Sequence, residues 1–241
     1  TTFPGEQLDN PYSMNVVDIC PVGALTNRDF RFKARVWDMS KTNSICSGCA
    51  RGCNIEVWAR NNEVLRLVPR YNEEVNSYWM CDHGRLNTFK SVNSHDRVDG
   101  PHLRVEGNLI KIGWDEAYAE AASRLKAFGK DEVAVLGSAY ATVEDNFIAA
   151  KFAKSVLGTG HLDFVRHINP SFGDDILRNE DVTPNSNGAK LAGVAQSKSG
   201  LDFNGIIKAI REGKIKALYI LEDDIVNDNP DLENLFAKLD L

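Results

Sequence analysis

Cysteine is absent from the last 160 residues of this 241-residue chain, so thiolate chemistry is confined to the first 81. A run of about 18 apolar residues is also lacking, which leaves no stretch suited to a membrane-spanning helix. There is no excess of basic residues: the net charge is -6, which argues against nucleic acid, whose phosphates are gripped by clustered Lys and Arg. The opening Thr1-Thr-Phe-Pro-Gly5 has neither a Met nor the apolar segment of a secretory signal, and the chain reads as a piece of a longer one. G-x-G-x-x-G, internal repeats and low-complexity tracts are missing. What is present is ordinary for a folded protein. The chain is 43% hydrophobic and 9% aromatic, and long enough for one large domain or two smaller ones.

Four of the five cysteines form one set: Cys46, Cys49 and Cys53 in a C-x2-C-x3-C loop, then Cys81 after a gap of 27 residues. Three thiols within eight residues do not pack as inert core. Glycines at 48 and 52 let the loop curl and turn its amides inward. Four thiolates with no histidine in the set suit a [4Fe-4S] cluster or a structural zinc. An odd cysteine count, concentrated in this way, fits thiolates kept for metal in a reducing compartment better than a secreted disulfide framework. The fifth, Cys20, precedes Pro21. Cys-Pro recurs where the last ligand of an iron–sulfur cluster leaves its loop, and it is equally a small buried cysteine at a turn. As a ligand, Cys20 would need companions upstream of Thr1.

Along the chain, residues 1–27 are rich in Pro, Gly and Asn and show little periodicity. Phe30, Phe32, Ala34 and Val36 alternate with Arg31, Lys33 and Arg35, the pattern of a half-buried strand. Ser40-Lys-Thr-Asn43 reads as a polar boundary. Residues 54–60 and 63–68 predict a hairpin about Asn61-Asn62, and 70–80 a polar loop carrying Trp79 to Cys81. A module this small relies on its metal and its neighbours for stability. A second hairpin is expected over 98–112, followed by a helix opening at Trp114-Asp-Glu116 and ending near Gly129.

Strands and helices then alternate. Strands are expected at 132–136, 161–165 and 217–221, the last covered on both faces. Helices are expected from a cap at Thr142 to Gly158, from a cap at Asp202 to Gly213, and from Asn229-Pro230 onward. Residues 178–200 read as a long loop. The pattern is α/β: a small strand-rich module, then the start of a doubly wound parallel sheet.

Asp18-Ile-Cys-Pro-Val-Gly-Ala-Leu25, the cysteine set 46/49/53/81 and Ile112-Gly-Trp-Asp-Glu-Ala117 occur in this order in one family. The chain resembles, over essentially its whole length, the large iron–sulfur protein (the G component) of bacterial NADH:quinone oxidoreductase, respiratory complex I. That family lies within the molybdopterin oxidoreductase superfamily. The resemblance implies three regions: 1–39 ending a ferredoxin-like domain, 40–98 a [4Fe-4S] module, and 99–241 the start of a molybdopterin oxidoreductase-like α/β domain. It implies [4Fe-4S] at Cys46, Cys49, Cys53 and Cys81, and Cys20 as last ligand of a second [4Fe-4S] cluster whose other ligands lie upstream. The function implied is electron transfer from an NADH/flavin module toward quinone. The partners implied are the flavin/NADH-binding and quinone-side iron–sulfur subunits, in the peripheral arm on the cytoplasmic side of the inner membrane.

The alternative is a molybdenum or tungsten formate dehydrogenase-type subunit. Those relatives ligate the metal through Cys, selenocysteine or Ser. Here Arg166-His167-Ile168-Asn169 aligns with that stretch and puts Ile168, which cannot ligate, at the ligand position. Ser171 nearby reads as a loop serine. Where molybdenum relatives place a Lys two residues after the last Cys, this chain has His83, a loop residue or a donor to a cluster sulfur. Both departures point to a member without molybdopterin. Trp58 and Trp79 are expected to shield the cluster. Gly137-Ser-Ala-Tyr140 reads as a tight turn rather than a phosphate cradle, Asp223-Asp224 as solvated, and His95, His102, His161 and His167 as scattered.

Overall fold

The computed structural model describes residues 3–195 and 200–241. The chain divides into two compact units: Thr1–Arg97 with His167–Pro184, and Val98–Arg166 with Asn185–Leu241.

The first unit opens with a single helical turn, α1 (Asn15–Ile19), in a stretch whose composition marks no element. The alternation over 30–36 does not form a strand. Residues 28–33 turn, Phe32 takes φ +69° with its ring 92% exposed, and a 3-10 turn covers Val36–Asp38. The Phe30 ring meets the Arg66 guanidinium instead of a core face. A strand forms directly afterwards, over the polar stretch that reads as a boundary: β1 (Ser40–Ile45). Every β1 residue is exposed, so no apolar alternation announces it. Pairing recruits it, with Ser40 opposite Ala59 and Ile45 opposite Asn54 on β2 (Asn54–Arg60).

The expected hairpin of β2 and β3 (Glu63–Pro69) is present. Asn61 and Asn62 turn it at φ +52° and +63°, a left-handed pair that asparagine tolerates. The sheet order is β1-β2-β3. One face of this sheet meets a core of Cys46, Cys53, Ile55, Leu67, Met80 and Leu177. A short helix, α2 (Asp82–Leu86), starts at Cys81.

The second unit begins with the expected hairpin, β4 (His102–Val105) and β5 (Asn108–Lys111), turned at Glu106-Gly107. Helix α3 (Trp114–Leu125) stops before Gly129. Then come β6 (Val133–Ser138), wholly buried, and α4 (Val143–Phe152). Thr142 Oγ1 accepts the Asp145 N–H at 3.1 Å, and a π-turn over Ala153–Leu157 runs to Gly158 at φ +70°. Next are β7 (Leu162–Val165), α5 (Ser186–Ala192) and α6 (Phe203–Arg211), where Asp202 accepts the Gly205 N–H at 2.7 Å. The unit closes with β8 (Ala217–Ile220), α7 (Ile225–Asp228) and α8 (Asp231–Phe236).

The sheet is parallel, in order β7-β6-β8, with Val135 opposite Leu162 and Val133 opposite Ala217. Alternation along β6 sends Ala134 and Leu136 to a core with Ile206, Ile210 and Leu232, and Val135 to a core with Ala149, Ala153 and Ala189. Helices therefore cover both faces, the doubly wound α/β arrangement expected.

Three expectations here are corrected. Helix α5 lies inside the 178–200 stretch that reads as a loop; its small and polar residues, Ser186-Asn-Gly-Ala189, hide it because Gly188 fits against Val143 where a side chain would collide. Residues 196–199 of that stretch lie outside the described residues. Strand β8 is not covered on both faces: it is at the edge of this sheet, and Tyr219 and Ile220 are 38% and 37% exposed. The last helix starts one residue later than expected, with Pro230 rather than Asn229 at the cap. Among the described residues, no helix is long and apolar enough to cross a membrane.

Candidate metal centre

Cys46, Cys49 and Cys53 follow β1, and Cys53 directly precedes β2, so the antiparallel pair holds both ends of the loop. The Cys46 N–H donates to the Cys53 carbonyl at 2.8 Å, closing it. Gly52, at φ +66°, makes the return. Cys81 is brought to the same place as the cap of α2. All four thiols are buried and none is in a disulfide.

Two backbone amides are aimed at sulfur. Gly48 N–H donates to Cys46 Sγ and Gly84 N–H to Cys81 Sγ, each at 3.4 Å. Gly84 is also where two sulfurs close in. A Cβ there would stand 2.8 Å from Cys46 Sγ and 3.6 Å from Cys81 Sγ. Burial pushes the Cys46 thiol up to about 11, with Cys81 and Cys49 adding to it against the Gly48 amide. Burial pushes Cys53 up to about 12, reinforced by Cys46, Cys49 and Cys81 and opposed by Arg51. Cys81 is raised by burial and by Cys49, against the Gly84 amide and Arg178. Cys46 and Cys81 thus close on the same glycine, Cys46 and Cys53 share one apolar core, and burial keeps Cys46, Cys53 and Cys81 protonated at neutral pH until a cation displaces their protons.

This donor set fits an iron–sulfur cluster: four sulfurs, peptide N–H groups aimed at two of them, and an apolar wall. Among the described residues no three His, Cys, Asp or Glu side chains are gathered for a single metal ion.

Two distant segments complete the site. From the N-terminal side, Asp82 N–H donates to the Pro11 carbonyl at 2.7 Å and Met14 N–H to the Asp82 carboxylate at 3.0 Å. Buried Asn15 donates to the Met80 carbonyl and accepts the Met80 N–H, at 3.0 and 3.2 Å. Arg85, also buried, holds Asn15 at 3.1 Å and Asp18 at 2.6 Å. From the other side, residues 167–184 return to the cysteine loop. The Ala50 N–H donates to the Asp181 carbonyl at 2.8 Å, and Leu177 packs with Cys46 and Cys53. Tyr12, Asn15, Arg85, Asp174 and Arg178 carry no motif. Their roles arise from pairings of up to 162 residues' separation, which local spacing does not encode.

Cys20 stands apart from this set and is partly exposed. The Leu25 N–H, with those of Val22, Ala24 and Gly23, faces its sulfur and holds the thiol below its ordinary value. The tryptophans are not where shielding would put them. Period-2 alternation turns Trp58 to the face opposite Ile55, where it lies between Lys41 and Arg66, and Trp79 is 46% exposed. Met80 and Leu177 form the wall instead.

His83 makes an edge contact with Phe172, ring centroids 5.0 Å apart, and its Nδ1 faces Asn87 at 3.5 Å. Ile168 sits in an isolated bridge with Asp181, and the Ser171 N–H donates to Asn169. In the second unit, Gly137 is explained by packing: a Cβ would meet Asn146 Oδ1 at 2.7 Å and Val194 at 3.0 Å. Asp224 caps α7 through the Asn227 N–H at 3.1 Å.

Three family models match successive stretches. NADH-quinone oxidoreductase subunit 3, ferredoxin-like domain, matches residues 1–26. NADH-ubiquinone oxidoreductase NDSU1/NuoG-like, 4Fe-4S domain, matches residues 39–88. Molybdopterin oxidoreductase matches residues 97–199. Among curated relatives, the NADH-quinone oxidoreductase G component of Rickettsia bellii is 35% identical over 65% of this chain and 23% of its own length. NADH-quinone oxidoreductase subunit 3 of Thermus thermophilus is 39% identical over 65% of this chain and 20% of its own. The G component of Streptomyces coelicolor is 34% identical over 83% of this chain and 23% of its own. The chain thus spans about a fifth to a quarter of the length of the curated relatives it matches.

Proposed function

We propose, from a chain that belongs to the large iron–sulfur subunit family of NADH-quinone oxidoreductases, that this protein carries electrons through bound [4Fe-4S] clusters and does no bond chemistry in residues 1–241. One observation carries the reading: four buried thiols, Cys46, Cys49, Cys53 and Cys81, none in a disulfide, with the Gly48 and Gly84 amides turned toward sulfur. A [4Fe-4S] cluster supplies one-electron redox chemistry. The chain's own part is to deprotonate four thiols on binding, exclude water with Met80 and Leu177, and donate N–H groups to sulfur.

Cys20 serves as the last ligand of a second [4Fe-4S] cluster whose other ligands lie upstream. Support comes from the Cys20-Pro21 step and from the ferredoxin-like match ending just past it. The regions are read as 1–39, 40–98 and 99–241, with residues 167–184 contributing to the second as well. Electrons enter from a flavin/NADH-binding subunit and leave toward quinone through another iron–sulfur subunit, in a peripheral arm on the cytoplasmic face of the membrane. Molybdopterin plays no part in this reading: Ile168 occupies the aligned ligand position, and residues 82–241 hold no cysteine.

The test is metal and sulfide analysis of the full-length protein together with an electron paramagnetic resonance spectrum after reduction. Iron, acid-labile sulfide and a [4Fe-4S] signal are expected, without molybdenum or tungsten. Stoichiometric molybdenum would establish the formate dehydrogenase-type alternative. Zinc alone would establish a structural site.

A further inference from the structure

Residues 167–184 belong to the unit that contains the cysteine loop, although the chain on either side of them builds the other unit. Their fold is organised by one carboxylate. Asp174 Oδ1 accepts the N–H groups of Ile176, Leu177 and Arg178 at 3.0, 2.8 and 3.0 Å. Its Oδ2 accepts Arg178 Nε at 2.8 Å, and the Tyr12 hydroxyl donates to the same oxygen at 2.7 Å. The Asp174 N–H in turn donates to the Arg178 carbonyl at 3.0 Å.

The closed turn fixes two neighbours in different roles. Leu177 goes into the apolar core with Cys46 and Cys53. The Arg178 guanidinium lies 5.0 Å from the centroid of Phe172, whose ring meets His83, two residues after Cys81. Arg178 keeps its charge at any pH the protein meets, and its side chain is 20% exposed, so water screens it only in part. Leu177, its neighbour in the chain, lies in the core with Cys46 and Cys53, so the charge is held next to the cysteine centre.

We propose that Arg178 sets the reduction potential of the four-cysteine centre: the Asp174 turn holds a permanent positive charge beside it and raises that potential. The inference rests on the cluster reading above. The physical ground is simple. Each electron accepted adds one negative charge to a centre already surrounded by thiolates, so a fixed cation stabilises the reduced form more than the oxidised one. Asp82, beside Cys81, and Asp174, behind Arg178, act in the opposite sense. Arg178 and Asp174 are therefore expected to shift the potential in opposite directions when neutralised.

The experiment is a redox titration of the full-length protein in its native assembly, followed by electron paramagnetic resonance, for wild type, R178Q, R178K and D174N. Asn at 174 keeps an oxygen for the three amides while losing the charge. The expected result is a downward shift in R178Q, a midpoint near wild type in R178K and an upward shift in D174N. An intact cluster at unchanged potential in R178Q overturns the proposal. So do R178Q and D174N shifts of the same sign, which indicate loosened packing, or loss of the cluster in both R178Q and R178K. If R178Q alone holds no cluster, D174N decides: an upward shift supports the proposal, and an unchanged or lowered one overturns it. Wild-type protein with no [4Fe-4S] signal is a different failure, since it removes the cluster reading and with it this inference.

Discussion

Gly84 is the residue on which the fit of the centre turns. A methyl group there would stand 2.8 Å from Cys46 Sγ and 3.3 Å from Met80 Cε. In the metal-free protein the thiol can swing aside, at a cost of roughly 1–3 kcal/mol for overpacking. With Cys46 held by a cluster it cannot. Gly84→Ala is therefore expected to keep its circular dichroism and lose most of the iron assigned to this centre, measured after reconstitution; full iron loading would contradict the placement of Gly84. The cysteines make a second prediction, for the metal-free protein. Cys46 and Cys53 are raised to about 11 and about 12 in the folded chain. A thiol raised above its unfolded value, about 8.5, stabilises the fold fully below that pH and progressively loses this contribution as pH rises through the folded value. Metal-free protein is expected to lose thermal stability between about pH 8.5 and 12, while the loaded protein resists the change. Parallel loss in both forms would count against it. The four-cysteine set 46/49/53/81 is visible from its spacing, and Cys20 only from its Cys-Pro step. Gly84 is not, because a glycine declares its purpose only when the sulfur that would collide with its Cβ is known.

The element that completes the centre is the 167–184 excursion, and Leu177 is its apolar contact. Leu177→Ala is expected to destabilise the first unit by about 2–5 kcal/mol and to speed bleaching of the cluster in air. Unchanged bleaching kinetics would remove the shielding role. No helical or strand period runs through this stretch, so periodicity cannot find its structure; Asp174 organises it by accepting three amides and one guanidinium. The same limit explains β1. Its six residues are all exposed, and pairing to β2, rather than an apolar face, makes them a strand. Phe30 to Val36 show the converse, alternation without a strand, because no partner strand or core face receives those side chains and Phe32 turns left-handed. Elements with local chemistry are legible. Asn61-Asn62 turns its hairpin, and Thr142 and Asp202 cap α4 and α6 as their positions before apolar runs imply. The small-residue helix α5 has no such stripe and hides within a polar stretch.

At the scale of the whole chain, the division into two units cuts the sequence in a way no linker marks, since 167–184 is separated from the cysteine loop by β6 and β7. The alternating order of the second unit is what makes its parallel sheet legible: β6, buried throughout, sends successive residues to two helical layers. The family models follow the chain in the same sequence, ferredoxin-like, 4Fe-4S and molybdopterin oxidoreductase. The central claim is that Cys46, Cys49, Cys53 and Cys81 together hold one [4Fe-4S] cluster, separate from the one at Cys20. Its most direct test compares iron and acid-labile sulfide in the full-length protein and its Cys81→Ser variant, with the reduced spectrum of each. The account predicts a loss of about four irons and four sulfides and of one [4Fe-4S] signal, with the remaining signals intact. Unchanged iron and an unchanged spectrum in the variant would contradict it.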